Sequence, residues 1–144
     1  MTLRPATAGD HAAVVGLLEA AGLPLAGVPA GMADFLVAER EGRIVGAVGL
    51  ERYGDSALLR SAVVEPGLRG TGVGAHLVEE LLAHAREQGT RDVYLLTTTA
   101  EHWFPRFGFV RIDREAVPVG VRTSVEFREA CPATAAVMRK RLTS

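Results

Sequence analysis

The stretch Val63-Val64-Glu65-Pro66-Gly67-Leu68-Arg69-Gly70-Thr71-Gly72-Val73-Gly74-Ala75 limits the fold of this chain more than any other. A run of β-formers at residues 57–64 stops at Pro66. Apolar residues at helical spacing then begin: Val73, Leu77, Val78, Leu81, Leu82 and Ala85. The glycine-rich bend therefore joins a strand to a helix and sits at the helix N-terminus, where backbone N–H groups lack intrahelical partners and the macrodipole adds positive potential. Gly70, Gly72 and Gly74 let the main chain approach a ligand, and Arg69 adds a fixed charge. The stretch reads as an anion cradle suited to phosphate. The alternative is a turn that only connects the two elements. No lysine completes a Walker loop, and the Gly70-x-Gly72-x-Gly74 spacing is not the Gly-x-Gly-x-x-Gly of a dinucleotide fingerprint.

At 144 residues the chain is expected to form one domain, residues 1–144, with a core that needs neither disulfide nor metal. With 48% apolar residues and a net charge of −1, it fits neither a disordered chain nor a nucleic-acid coat, so no nucleic-acid partner is expected. Cys131 is the single cysteine, which rules out an intrachain disulfide and reads as a small buried hydrophobe. Residues 1–5 show no signal peptide and no apolar run reaches membrane-spanning length. A cytoplasmic location without membrane contact is the expectation.

Along the chain, residues 3–6 suit a brief strand. Thr7-Ala8-Gly9-Asp10 reads as a capping box before a helix carrying Val14, Leu17, Leu18 and Ala21 and ending at Gly22. Residues 23–31, with two prolines and two glycines, form a connector or a candidate lid. Strand-like runs at 34–39, 44–50 and 57–64, joined by Arg40-Glu41-Gly42-Arg43 and Tyr53-Gly54-Asp55-Ser56, predict an antiparallel meander. The helix from Gly72 to about Gln88 stops at Gly89, and the apolar strand at 93–97 completes a βαβ unit with parallel pairing. Residues 102–107 suit a short helix closed by Gly108, and the pattern over 110–142 is weak. The result is an α/β domain: a mixed, mostly antiparallel sheet with flanking helices.

The bend, as Arg69-x-x-Gly72-x-Gly74, resembles the acyl-CoA pyrophosphate loop of the GNAT (GCN5-related) N-acetyltransferase family. A second segment, Ala100-Glu101-His102-Trp103-Phe104-Pro105-Arg106-Phe107-Gly108-Phe109, is similar to that family's Ala-x-x-x-Tyr-x-x-x-Gly-Phe motif, in the right order and one helix and one strand later. The resemblance runs from the capping box through Phe109. It implies a GNAT-like fold in which two parallel strands splay apart, with acetyl-CoA as co-substrate and no metal. It also implies that Arg69, Gly70, Thr71, Gly72, Val73, Gly74 and Ala75 hold the pyrophosphate. Ala62, Val63 and Val64 would pair with the pantetheine arm like an added strand. Thr97, where many members carry asparagine, would offer a weaker hydroxyl contact. Phe104 stands where the family has its general-acid tyrosine, so it would line the acyl slot without protonating the leaving thiolate.

The chemistry implied is attack of a neutral primary amine of a small molecule on the acetyl carbonyl through a tetrahedral intermediate. It needs an oxyanion donor, assigned to the N–H of Val64, and a base, assigned to Glu51 with Asp55 and Glu65 as runners-up. A solvated turn carboxylate is the bland reading of Glu51. Arg60 is a charge inside an apolar strand run, and strand alternation groups it with Leu58, Ala62 and Val64. Buried, it needs a partner: Glu51, or the carboxylate of an amino-acid substrate, with Ser61 beside it. The runs Leu59-Arg60-Ser61, residues 94–100 and residues 131–138 are similar to the GNAT enzymes associated with arsenic resistance, which implies a glutamate analogue of the phosphinothricin or arsinothricin kind as acceptor. His76, Glu80 and His84 share a helix face, read as solvated rather than metal-binding. The alternatives are a non-catalytic acyl-CoA sensor or partner module, which the missing tyrosine keeps open, and an acetyltransferase acting on a protein amine. The weakly patterned C-terminal third leaves room for a homodimer.

Overall fold

The computed structural model describes residues 1–124, 127 and 134–142; the sequence reading of Cys131 lies outside them. Strand β1 (Thr2–Pro5) leads into helix α1 (His11–Ala21), and β2 (Phe35–Arg40), β3 (Arg43–Tyr53) and β4 (Ser56–Val64) form the expected meander. Helix α2 (Val73–Glu87) crosses to β5 (Asp92–Thr97), followed by β6 (Val110–Ile112), the one-turn α3 (Val119–Arg122) and β7 (Ala136–Arg141). Among the described residues the strands make one sheet in the order β1-β2-β3-β4-β5-β7-β6. Among the described strand pairs, β4 and β5 alone run parallel. The β2–β3 hairpin turns through Glu41 and Gly42 at φ 52° and 77°, the positive pair that matches the twist of the flanking strands.

The capping box forms as its spacing requires. Asp10 accepts a hydrogen bond from the Thr7 backbone N–H at 2.8 Å, and Arg4 donates to both carboxylate oxygens at 2.8 and 2.9 Å. At its other end α1 stops on Gly22 (φ 70°), and the Leu23 N–H bonds back to the Leu18 carbonyl at 2.9 Å.

Two apolar layers cover the sheet. On one face α2 packs Leu77, Val78 and Leu81 against Leu50, Leu59 and Leu95. On the other, α1 covers Val37, Ala47 and Val63, while α3 covers Leu58, Tyr94 and Leu96. Strand β5 contributes to both layers, as its near-continuous apolar run predicts.

The sheet opens between its two parallel strands. They pair only at Ser56–Asp92, Ala57–Val93 and Leu58–Tyr94, although β4 continues to Val64 and β5 to Thr97. Beyond Leu58 the β3 register shifts: Gly49 faces Arg60 but Ala47 faces Val63, so Ser61 and Ala62 together oppose Val48. This bulge bends β4, and Ser61 takes φ 58°, uncommon for a residue with a Cβ. Strand β5 meanwhile stays paired with β7 along its whole length. The bulge also corrects the alternation expected from sequence. Arg60 shares the α1/α3 face with Leu58, but Ala62 and Val64 pack with Leu59 on the α2 face. One extra residue flips every side chain after it.

Candidate active site

At the head of α2, the N–H groups of Val73, Gly74 and Ala75 belong to the first helical turn, where no earlier helical carbonyl can accept them. The chain enters that turn through Gly72 in a left-handed conformation, φ 92°. At Gly74 a Cβ would lie 3.4 Å from Val64 and 3.6 Å from the Trp103 ring, ordinary van der Waals contact, which shows how near the helix head lies to the end of β4. Not every predicted cradle group is open. The Thr71 N–H and hydroxyl both donate to the Leu68 carbonyl, and the Arg69 N–H donates to Pro66.

A cavity of about 630 Å³ starts at this cradle and passes through the gap between β4 and β5 to the opposite face of the sheet. Trp103 and Phe104 wall it on the α2 side, and Leu23, Pro24 and Arg60 line it on the α1 side. Among the described lining residues the ionisable side chains are Arg60, Arg69 and Arg106; none is a carboxylate.

Val64 is well placed on this gap. The Glu65 N–H bonds to the Val45 carbonyl at 2.8 Å, so the antiparallel ladder turns the backbone groups of Val63 toward β3 and those of Val64 toward the gap. Arg69 donates from Nε to the Val64 carbonyl at 3.4 Å, leaving the Val64 N–H to face the cavity. Ala62 and Val63 line the same space. Thr97 does too, but its hydroxyl oxygen already accepts from the Ala100 N–H at 2.9 Å, closing the turn after β5.

Arg60 lies on the far side of the gap with its side chain fully buried. Its Nε donates to the Ser61 hydroxyl at 3.0 Å, and its Nη1 lies 3.7 Å from Glu51 Oε2. The register settles the question of face: Glu51 pairs with Leu58, two residues from the Gly49–Arg60 pair, so the two charges share a face. Glu51 is not among the described cavity-lining residues, and its buried Oε2 receives no hydrogen bond from the described residues. Of the other carboxylates considered as bases, Asp55 sits on an exposed turn beside Arg91, and Glu65 is ion-paired with Arg43.

Aromatic residues complete the α2-side wall. Trp103 and Phe104 meet edge to face at 5.0 Å, and Phe104 meets Phe109 at 5.7 Å. No tyrosine is among the described lining residues; Tyr94 lies under α3, where burial pushes its phenol up. Sequence reasoning missed Arg106. It stacks its guanidinium 5.3 Å from the Trp103 ring and donates to the Trp103 carbonyl at 2.9 Å, at the cavity mouth. Its signal was a cation inside the second motif. Near the C-terminal end of α2, His84 contacts Asp34 at 3.4 Å. Burial alone would raise the Asp34 carboxyl, but hydrogen bonds from Arg52 and His84 bring it below its ordinary value. No cluster of three metal-ligating side chains occurs among the described residues.

A family model for the acetyltransferase (GNAT) domain matches residues 32–111. An amino-acid acetyltransferase of Ralstonia nicotianae is 34% identical over 128 residues, covering 81% of this chain and 28% of that protein. The enzyme of the same name from Pseudomonas fluorescens strain Pf0-1 is 37% identical over 87 residues, covering 59% of this chain and 20% of its own. The chain thus spans about a quarter of the length of these curated relatives. Among solved structures, a Mycobacterium tuberculosis protein in complex with CoA superposes with TM-score 0.84 at 24% identity, over 99% of this chain and all of that one. The Neisseria gonorrhoeae N-acetylglutamate synthase, complexed with coenzyme A and N-acetyl-glutamate, superposes with TM-score 0.85 at 22% identity, over 99% of this chain and 35% of that one.

Proposed function

Because this chain belongs to the GNAT acetyltransferase family, a family whose co-substrate is acetyl-CoA, we propose that it transfers the acetyl group to the primary amine of a small amino acid. The observation that carries the reading is the cavity with an anion cradle at one end and a buried arginine at the other. The pyrophosphate belongs at the head of α2 beside Arg69, with the pantetheine lying along the end of β4 and the thioester in the gap. Arg60, with the Ser61 hydroxyl at its side, takes the acceptor's carboxylate from the α1 side and so aims the amine at the carbonyl carbon. The neutral amine forms the C–N bond, and the developing oxyanion is held by the Val64 N–H. The C–S bond then breaks, and the amine proton goes to water. Phe104 cannot donate a proton, so the thiolate leaves on its own basicity, which is modest for a thiol of pKa near 8.5.

The amino-acid acetyltransferases that resemble this chain support an amino-acid acceptor. Glutamate and its phosphinothricin-like and arsinothricin-like analogues are the finer candidates, each a small amine that carries a carboxylate.

Calorimetric titration with acetyl-CoA tests the donor half, on the wild type and on Arg69→Glu combined with Gly72→Val. Micromolar binding is expected for the first and none for the second. A folded wild type that binds no acetyl-CoA sinks the proposal; one that binds it but turns over no amino acid leaves an acyl-CoA sensor.

A further inference from the structure

Ser61 sits at the least regular point of β4. Its φ of 58° lies in the left-handed region, where a Cβ crowds the backbone and a glycine would be unstrained. It shares the bulge with Ala62, and it lines the cavity while staying half-buried. Strain of this kind persists only where the surrounding structure holds it, and on a cavity wall it points to a use for the side chain.

The hydroxyl supplies that use. A guanidinium carries donors only, so in the 3.0 Å contact between Arg60 Nε and Ser61 Oγ the arginine donates and the serine accepts. With a lone pair taken by a cation, the hydroxyl hydrogen has to turn away from the guanidinium. No acceptor among the described residues takes it. The Arg60 side chain has no exposed surface, whereas Ser61 is open in part. A ligand on this wall therefore meets the Ser61 O–H, with a positive charge one hydrogen bond deeper.

We propose that Ser61 is the residue that binds the acceptor's carboxylate, donating its O–H to one carboxylate oxygen, and that Arg60 is a positioning residue acting through it. The inference rests on the reading of the acceptor as an amino acid and refines the contact made at this end of the cavity. Arg60 fixes the direction of the hydroxyl and leaves it only an acceptor to bind. The buried charge, offset in part by Glu51 at 3.7 Å, polarises the O–H bond. Ser61 thereby selects amines that carry a carboxylate, and it takes no part in proton transfer.

The test is steady-state acetylation of an amino acid, and of the matching amine without a carboxylate, by wild type, Ser61→Ala and Ser61→Gly, with thermal melting of each protein. Both variants lose the hydroxyl, but only glycine relieves the left-handed backbone. Ser61→Gly should therefore melt higher than Ser61→Ala, and it carries the test if the alanine variant does not fold. In both, KM for the amino acid is expected to rise about tenfold to a hundredfold, the range for a hydrogen bond to a charged group. KM for the plain amine and for acetyl-CoA should not change. A wild-type KM for the amino acid in the glycine variant overturns the proposal. An equal rise for both acceptors overturns it as well, since Ser61 would then act only through the shape of the bulge. The parent reading is checked on the wild type alone: if the plain amine is acetylated as efficiently as the amino acid, no carboxylate is bound and the acceptor assignment fails, whatever the variants do.

Discussion

Acid should loosen the α1 side of the cavity before the rest of the molecule, and the source of the effect is one carboxylate. Asp10 receives hydrogen bonds from both ends of the Arg4 guanidinium and from the Thr7 backbone. The Arg4 bonds come first in holding its pKa down, from 3.8 to about 2, against a burial that would raise it. At ~1.4 kcal/mol per pH unit, the difference corresponds to about 2 kcal/mol of folding stability. The sign follows from the folded value being the lower one. The contribution is complete above pH ~5, where the unfolded chain is ionised, and is lost as pH falls toward 2. Asp10→Asn should therefore lower the melting temperature at pH 7 by about 4–8 °C, given ~2–4 °C per kcal/mol for a domain of this size. The perturbation reaches the site because α1 ends on Gly22, Leu23 and Pro24, which line the cavity. The assay is thermal unfolding of both proteins from pH 7 to pH 2. The gap between them should close over about the last three units. A gap that keeps its size down to pH 2 would mean that Asp10 acts through packing and not through its charge.

Two further substitutions probe the sheet beside Arg60 and the wall of the cavity. Gly49→Ala puts a Cβ 2.3 Å from the Phe35 ring, opposite Arg60 in the ladder, so about 1–3 kcal/mol of stability should be lost by overpacking, read by denaturant midpoint. Phe104→Tyr restores the hydroxyl that the family motif carries, on a buried wall of the cavity. If unassisted thiolate departure limits the rate, kcat should rise, by up to ~10²-fold if the new hydroxyl acts as a general acid, while KM for acetyl-CoA stays within a factor of two; an unchanged kcat in single-turnover experiments would show that departure is not limiting.

The parts of this molecule written in local chemistry were legible before the structure. Pro66 and the glycines around it mark the end of β4 and the head of α2, because a proline ends a strand ladder and an N-terminal turn tolerates glycine. The two-residue turn at Glu41-Gly42 needed only its own residues. The bulge was different. Nothing in Arg60-Ser61-Ala62 distinguishes it from a regular strand, since the φ > 0 position is filled by serine and not by the glycine that would announce it. Its position depends on which β3 residue faces which β4 residue, a long-range fact. The placement of β7 between β5 and β6 was hidden for a related reason: its first half is buried and its end is charged and more open, so no period stands out.

That one unannounced residue accounts for most of the site. Without the bulge, β4 would stay straight beside β5, and Arg60, Ala62 and Val64 would share a face. With it, the strand bends away, the gap opens through the sheet, and the side chain of Arg60 faces α1 while the backbone of Val64 faces the gap. On the proposed function, donor and acceptor would then meet from opposite faces, with Arg69 at one end of the cavity and Arg60 at the other. The same arrangement constrains the proton. With Arg60, Arg69 and Arg106 as the ionisable groups among the described lining residues, the cavity carries cations at both ends, Arg60 with Glu51 at 3.7 Å. Such a field disfavours an ammonium near the thioester and favours the neutral amine that can attack. In the proposed complex the pyrophosphate and the acceptor's carboxylate would offset much of that charge, so a base or a water chain would still have to take the amine proton.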